Sequence, residues 1–177
     1  LEGSIDEAVI ARVKKSELKG IEENYEKVDE IPFDFSRRRL SVVVSDGKKK
    51  QLITKGAVEE ILSICTMVDY NGYVSEITKE IKKDVLELSK ELNKQGLRVV
   101  AVAQKNDIGD IKKFSVKDES KMVLIGFVGF LDPPKESAKG AIERLNKDGI
   151  RVIVLTGDNE YVTKAICDKV NINTDKI

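Results

Sequence analysis

The fold is decided by residues 31–57, IPFDFSRRRLSVVVSDGKKKQLITKGA. Two runs rich in β-branched residues, Leu40–Ser45 and Gln51–Thr54, lie on either side of an Asp46-Gly47 turn. This pattern is typical of a β-hairpin. Because a hairpin returns the chain to its starting edge, the residues that precede the first strand and those that follow the second are expected to meet.

Three residues at the ends of this hairpin are candidates for binding a purine nucleotide. Phe35 precedes the first strand, and Lys55 and Gly56 close the second. An aromatic ring can stack on a base, an ammonium is a compact point charge, and glycine allows close backbone approach. The alternative is that Phe35 belongs to the core and Lys55 is a solvated strand end.

The composition excludes several classes of function. The 177 residues are 41% hydrophobic, so a sizeable core is available, and the 31 basic and 31 acidic side chains cancel. Bulk charge therefore gives no reason to expect nucleic acid as a partner. Because the sequence has no histidine, Ser-His triads and most zinc sites are excluded, and we predict no metal-ligating residues. Cys65 and Cys167 form no disulfide framework, which favours a reducing compartment.

The first part of the chain has an α+β pattern. Apolar residues at helical spacing predict helices over residues 5–18, 57–68 and 79–95, and Asn71-Gly72 marks a turn. Residues 97–104 are predicted to form a strand, and residues 106–121 a polar loop.

From residue 122 onward the pattern becomes β-α-β-α, which is typical of a parallel sheet with crossover helices. The predicted elements are Met122–Leu131, Pro134–Asp148, Ile150–Leu155 and Asn159–Val170. About fifty residues are too few for a complete doubly wound domain, so half of one is expected. The predicted domains are residues 1–124 and 125–177.

A second candidate site, Thr156-Gly157-Asp158, lies where a predicted strand ends and a helix begins. A hydroxyl, backbone amides and a helix N-terminus together favour a phosphoryl group. The alternative is that Asp158 or Asn159 simply caps the helix. In the same way, Asp132 could cap the helix that Pro134 starts.

Five motifs in order resemble the cytoplasmic region of a P-type ATPase, over nearly the whole chain. They follow an acidic residue, Asp6, ahead of Ala-Val in the first helix, and are FDFSRRRLSVVV, LITKGA, GLRVVAVA, LDPPKESA and VLTGDN. The forms of the first and the last two look most like the bacterial magnesium-transporting class. The resemblance implies a nucleotide-binding domain, an antiparallel sheet flanked by helices. It also implies a partial Rossmann-like (haloacid dehalogenase-like) segment of a phosphorylation domain.

The resemblance also implies roles for individual residues. In the nucleotide-binding domain Phe35 would stack on adenine, Asp6 would face the adenine end of the pocket, and Lys55 and Gly56 would line it.

Toward the phosphates the resemblance implies a second set of residues. Arg37 and Arg98 would lie near the phosphates, and Thr156, Gly157 and Asp158 would help to hold the transferred phosphoryl group. The implied ligands are ATP and the Mg²⁺ that accompanies it.

The sequence departs from the family in three respects. The phosphorylated aspartate of Asp-Lys-Thr-Gly-Thr, the later Gly-Asp-Gly-x-Asn-Asp motif and the transmembrane helices are all missing from it. We therefore expect an excised cytoplasmic fragment of an integral protein of the inner or plasma membrane. Its expected partners are ATP and the missing phosphorylation, actuator and transmembrane parts. The isolated fragment is expected to be a monomer that binds ATP without turning it over, although the parent would couple ATP hydrolysis to cation transport, with Mg²⁺ as the expected cation.

Three alternatives stay open. The chain could be a fragment of a haloacid-dehalogenase-like phosphatase, or of a calcium-type pump of the same family. It could also be a protein–protein module in which Arg37–Arg39 form a docking patch.

Overall fold

The structure, a computed structural model, describes residues 4–106, 108–109 and 113–174, apart from the side chains of residues 4 and 5. Its strands are β1 Glu26–Asp34, β2 Arg39–Ser45, β3 Lys50–Gly56, β4 Cys65–Tyr70, β5 Tyr73–Glu76, β6 Leu97–Asn106 and β7 Met122–Leu131. Its helices are α1 Ser4–Arg12, α2 Lys15–Asn24, α3 Val58–Ile64, α4 Lys79–Lys94, α5 Glu136–Lys147 and α6 Glu160–Lys169, with a 3₁₀ turn at Val116–Asp118.

The strands form one mixed sheet in the order β1-β2-β3-β6-β7-β4-β5. The pairs β1–β2, β2–β3, β3–β6 and β4–β5 are antiparallel, whereas β4 and β7 are parallel. The α+β class expected for the first part of the chain is therefore confirmed. The parallel pair differs from the expectation, because no strand signal separates β4 from the helix before it.

Contacts divide the chain into two compact units. The first comprises Leu1–Asp84 and Val100–Val128, and the second comprises Val85–Val99 and Gly129–Ile177. The first unit holds most of the sheet. The second holds most of α4 together with α5 and α6. None of the helices in the described part of the chain is long and apolar enough to cross a membrane.

The predicted hairpin is confirmed as β2 and β3. Asp46 stabilises the turn, because its carboxylate accepts hydrogen bonds from the backbone N–H groups of Lys48 and Lys49 at 2.8 and 2.7 Å. Gly47 adopts a φ of +83°, which glycine tolerates without strain. The register then pairs Arg39 with Gly56 at the far end, so the two ends of the hairpin meet as expected.

Side chains alternate between the two faces of the hairpin. Ser41 and Val43 on β2, like Leu52 and Thr54 on β3, point into the core and have no solvent exposure. Lys55 therefore points to the opposite face. Ala101 and Ala103 of β6 complete the buried face beside β3, since Thr54 pairs with Ala103.

Two predicted helices differ from the observed ones. Residues 5–18 do not form one helix, because α1 ends at Arg12 and α2 begins at Lys15. The Glu17 carboxylate accepts a hydrogen bond from the Lys14 N–H at 3.4 Å and so supports a new helix start. The helix predicted over residues 57–68 ends at Ile64, and the chain continues directly into β4. The Asn71-Gly72 turn is confirmed and joins β4 to β5.

The strand predicted at Ile150–Leu155 is wrong for the described chain. No strand is assigned to residues 150–157, and no described strand pairs with them. Leu155 is 91% exposed and Ile153 is 63% exposed. A central strand needs neighbouring strands that satisfy its backbone groups, and this apolar run has no strand beside it among the described residues. The neighbouring predicted helices are confirmed as α5 and α6.

Candidate functional site

A tight turn of residues 34–39, here called the Phe35 turn, joins β1 to β2. The Asp34 carboxylate accepts hydrogen bonds from the N–H groups of Ser36 and Arg37 at 2.7 and 3.1 Å. The Asp34 carbonyl oxygen accepts a further one from the Arg38 N–H at 2.7 Å. These bonds fix the backbone and leave the Phe35 ring 89% exposed. The alternative that Phe35 belongs to the core is therefore wrong.

Gly56 brings the end of β3 against the Phe35 turn. A Cβ atom at this position would lie 2.5 Å from the carbonyl oxygen of Arg38 and 2.5 Å from the Cβ atom of Arg39. Neither distance is sterically possible, so a larger residue would push the two segments apart. The Ala57 N–H also donates to the Arg38 carbonyl oxygen at 3.0 Å. The close approach expected of Gly56 is therefore observed, with the partner being the chain's own backbone.

Two predicted site residues, Lys55 and Asp6, meet directly. The Lys55 ammonium forms an ion pair with the Asp6 carboxylate of α1. The Lys55 side chain is 32% exposed, so it is neither buried nor a fully solvated strand end. Strand pairing sets Lys55 opposite Leu40 on one side and Val102 on the other.

Arg37, which was expected to face phosphates, uses its guanidinium within the protein. Nη1 donates to both carboxylate oxygens of Glu119 at 2.8 and 2.7 Å, and Nη2 donates to the Pro32 carbonyl oxygen at 2.9 Å. Arg39 Nε donates to the same carboxylate at 2.8 Å. Arg38 pairs with Glu60 at 3.1 Å. Because all three arginines have acidic partners, they do not form the free cationic docking patch of the third alternative.

Glu119 is a residue beside the candidate site that sequence reasoning missed. It follows the 3₁₀ turn in the connector between β6 and β7, and its side chain has no solvent exposure. The Ser41 hydroxyl donates to its carboxylate at 2.7 Å. The sequence carried an indirect signal. Ser41 and Thr54 occupy core-facing positions of two otherwise apolar strands, and buried hydroxyls require a polar partner.

The charged state of Glu119 is set by two opposing effects. Burial raises the pKa of this carboxyl, but the hydrogen bonds from Arg39, Ser41 and Arg37 favour the ionised form and together outweigh it. The pKa of Glu119 in the folded protein is therefore lower than its ordinary value of 4.5.

In the second unit, the predicted phosphate contacts are gathered around Arg98. Its guanidinium donates to the Asp158 carboxylate at 2.6 Å and lies 3.7 Å from that of Asp132. The Asp158 N–H in turn donates to the Thr156 hydroxyl at 3.1 Å. A Cβ atom at Gly157 would meet nothing within 4 Å, so the backbone there is open.

The capping alternatives at these sites are resolved by the hydrogen bonds. The Asn159 side chain accepts from the Tyr161 N–H at 2.9 Å and is the N-cap of α6. Asp158 is therefore available to pair with Arg98. Asp132 caps no helix, because Lys135 is the residue at the start of α5.

Comparison with known proteins identifies the family. The family model for "P-type ATPase, cytoplasmic domain N" matches residues 2–137. The chain belongs to this family. Magnesium-transporting P-type ATPases of Salmonella typhimurium and Escherichia coli are 41% and 38% identical to it, over 98% and 100% of the chain. A calcium-transporting ATPase of Listeria monocytogenes is 33% identical over 82% of the chain. This P-type ATPase chain spans about a fifth of the length of the magnesium-transporting relatives, at 19% and 20%.

The lowered pKa of Glu119 predicts how stability of this P-type ATPase chain depends on pH. A group whose pKa is depressed on folding adds stability that is fully present above its unfolded pKa and is lost as the pH falls through the folded value. Glu119→Gln removes this contribution. The gap in unfolding free energy between wild type and Glu119→Gln should thus be largest near about pH 7 and should shrink below about pH 4.5.

Urea unfolding of both proteins across this range measures the gap. Asp29, Asp34 and Asp46, whose pKa values are also lowered by hydrogen bonds, contribute equally to both proteins and cancel. A gap that stays constant with pH would show that the pKa of Glu119 does not change on folding, and a gap that grows as the pH falls would show that folding raises it.

Proposed function

We propose that this chain is the ATP-binding part of a pump that couples ATP hydrolysis to Mg²⁺ transport across the inner or plasma membrane, and that it lies on the cytoplasmic side. The observation that carries ATP binding is the Phe35 ring, which is 89% exposed on a turn with a fixed backbone. Mg²⁺ is favoured as the cargo because the magnesium-transporting relatives share 41% and 38% identity with the chain. Ca²⁺ is the second candidate, supported by 33% identity.

The first unit supplies groups that suit adenine. An exposed aromatic face can stack on a base, which contributes about 1–3 kcal/mol. We assign that role to Phe35, and we assign the polar edge of the pocket to Asp6 and Lys55, whose ion pair offers both an acceptor and a donor. Gly56 keeps β3 close to the Phe35 turn. We assign Arg37 the role of stabilising the Phe35 turn, because its guanidinium donates to Glu119 and to the Pro32 carbonyl oxygen.

The second unit supplies groups that suit a phosphoryl group. We assign Arg98 to the phosphoryl site because its guanidinium pairs with Asp158, and its buried Nε has no acceptor among the described residues. We assign the remaining phosphoryl contacts to Thr156, Gly157 and Asp158. A triphosphate binds Mg²⁺ through its own oxygens. We therefore propose that Mg²⁺ enters the site bound to ATP.

We propose that residues 1–124 form the nucleotide-binding domain and that residues 125–177 form part of a haloacid-dehalogenase-like phosphorylation domain. The support is the exposed apolar run at residues 150–155, which lies between α5 and α6. Such a run becomes a buried central strand once parallel neighbours and covering helices are present. The phosphorylation, actuator and transmembrane parts of the pump would then be the partners of this chain.

The first test is the effect of Phe35→Ala on nucleotide affinity. We expect wild type to bind ATP with a Kd of about 0.1 mM to a few mM, because contacts from the rest of the pump are lacking. Loss of the stack should weaken binding by roughly ten-fold or more. Titration calorimetry with ATP and GTP measures both the affinity and the preference for adenine.

The matched control is Tyr73→Ala, which removes an aromatic side chain of similar exposure, 83%, from β5 at the opposite edge of the sheet. ATP affinity should be unchanged in this variant. Equal binding of ATP and GTP by wild type, or an unchanged affinity in Phe35→Ala, would contradict an adenine pocket at the Phe35 turn.

The second test distinguishes a pump fragment from a phosphatase. In the family an aspartate attacks the γ-phosphorus and forms an acyl phosphate. The Asp-Lys-Thr-Gly-Thr motif that carries this aspartate does not occur in the sequence. We therefore expect no ATP hydrolysis above background and no labelled protein after incubation with γ-labelled ATP, acid quenching and electrophoresis. A labelled band that hydroxylamine removes would reveal a different nucleophile, and steady phosphate release would favour the phosphatase alternative.

A further inference from the structure

The Glu119 carboxylate accepts four hydrogen bonds from side chains next to the candidate nucleotide site. Arg37 and Arg39, which flank the exposed tip of the Phe35 turn, donate three hydrogen bonds of 2.7–2.8 Å to its carboxylate. The Ser41 hydroxyl donates a fourth hydrogen bond, of 2.7 Å, to the same carboxylate. A buried carboxylate with this many charge-assisted partners is strongly tied to them. The connector between β6 and β7 thereby holds a turn that lies about eighty residues earlier in the chain.

The Glu119 carboxylate is also connected through Ser41 to Thr54, the residue before Lys55. The Ser41 and Thr54 hydroxyl oxygens are 2.7 Å apart. Because the single proton of the Ser41 hydroxyl goes to Glu119, the Thr54 hydroxyl must be the donor in this contact. Thr54 precedes Lys55 on β3, so one chain of hydrogen bonds runs from the neighbour of Lys55 to Arg37, two residues after Phe35.

The position of the Phe35 ring depends on these bonds because its own packing is slight. The ring is 89% exposed, and Phe33 meets it edge-on with ring centroids 5.2 Å apart. A side chain with so little packing is placed by its backbone. The Asp34 carboxylate holds that backbone within the turn, Gly56 lies against it, and Glu119 holds it through the side chains of Arg37 and Arg39.

We propose that Glu119 is a positioning residue for nucleotide binding, which holds the Phe35 turn so that the ring is presented to the base. This inference rests on the proposed function, since it assigns to Glu119 an effect on ATP that passes through Phe35. Glu119 itself touches no ligand. Its effect on ATP affinity should therefore vanish when the Phe35 ring is absent.

A double-mutant cycle tests this dependence. Glu119→Gln keeps the shape of the side chain and removes the charge that binds both arginines. In the wild-type background it should weaken ATP binding by about five-fold, because part of the binding energy must then order the turn. In the Phe35→Ala background the same substitution should change the Kd by less than about two-fold. Titration calorimetry gives all four affinities.

The matched control is Asp29→Asn. Asp29 also holds the connector, since its carboxylate accepts a hydrogen bond from the Phe114 N–H at 3.1 Å, but it lies on β1 away from the Phe35 turn. This variant should bind ATP like wild type. A loss as large as that of Glu119→Gln would mean that any loosening of the connector weakens binding, and would overturn the inference.

The remaining outcomes separate the inference from the proposed function. Failure of wild type to bind ATP, or an unchanged affinity in Phe35→Ala, overturns both. If Phe35→Ala weakens binding and Glu119→Gln does not, or if the two effects simply add, only the inference is overturned. Should Glu119→Gln fail to fold, Arg39→Lys takes its place in the cycle with the same criteria, because it keeps the charge and loses the Nε contact to Glu119.

Discussion

One buried carboxylate fixes the end of the sheet on which the candidate site depends. Glu119 has no exposed side-chain surface and holds two arginines and a serine of the β2 region. Removing one partner from a buried ion pair typically costs about 3–5 kcal/mol, because the other charge is left unpaired. The pairing therefore permits little variation in where the Phe35 turn lies relative to β2 and β3.

The rest of the site follows from this constraint. Because the backbone of the Phe35 turn is fixed, the Phe35 ring keeps its position although it is exposed and makes few packing contacts. Gly56 allows the end of β3 to close against the turn, and Lys55 then points away from the buried face toward Asp6. The arrangement separates two tasks: buried polar groups on one face of the hairpin supply rigidity, while Phe35 stays exposed and Lys55 pairs with Asp6 on the opposite face.

Local signals made the hairpin predictable, whereas long-range pairing did not. The Asp46-Gly47 turn and the alternating strands are encoded within a few residues, and the structure has them as expected. The partner of Arg37 lies 82 residues away in a polar connector, and nothing local distinguishes Glu119 from a solvated glutamate. The strand expected at residues 150–155 failed for a related reason. An apolar run specifies a strand only where neighbours exist to pair with it.

The central claim is that ATP binds at the Phe35 turn, and amide NMR of the labelled protein during an ATP titration tests it most directly. The account predicts that shift changes concentrate in the Phe35 turn and at Lys55 and Gly56, and that they saturate with one common Kd. Amides of β5, at the other edge of the sheet, should stay unchanged. Saturable shift changes that leave the Phe35 turn untouched, or no changes at millimolar ATP, would contradict it.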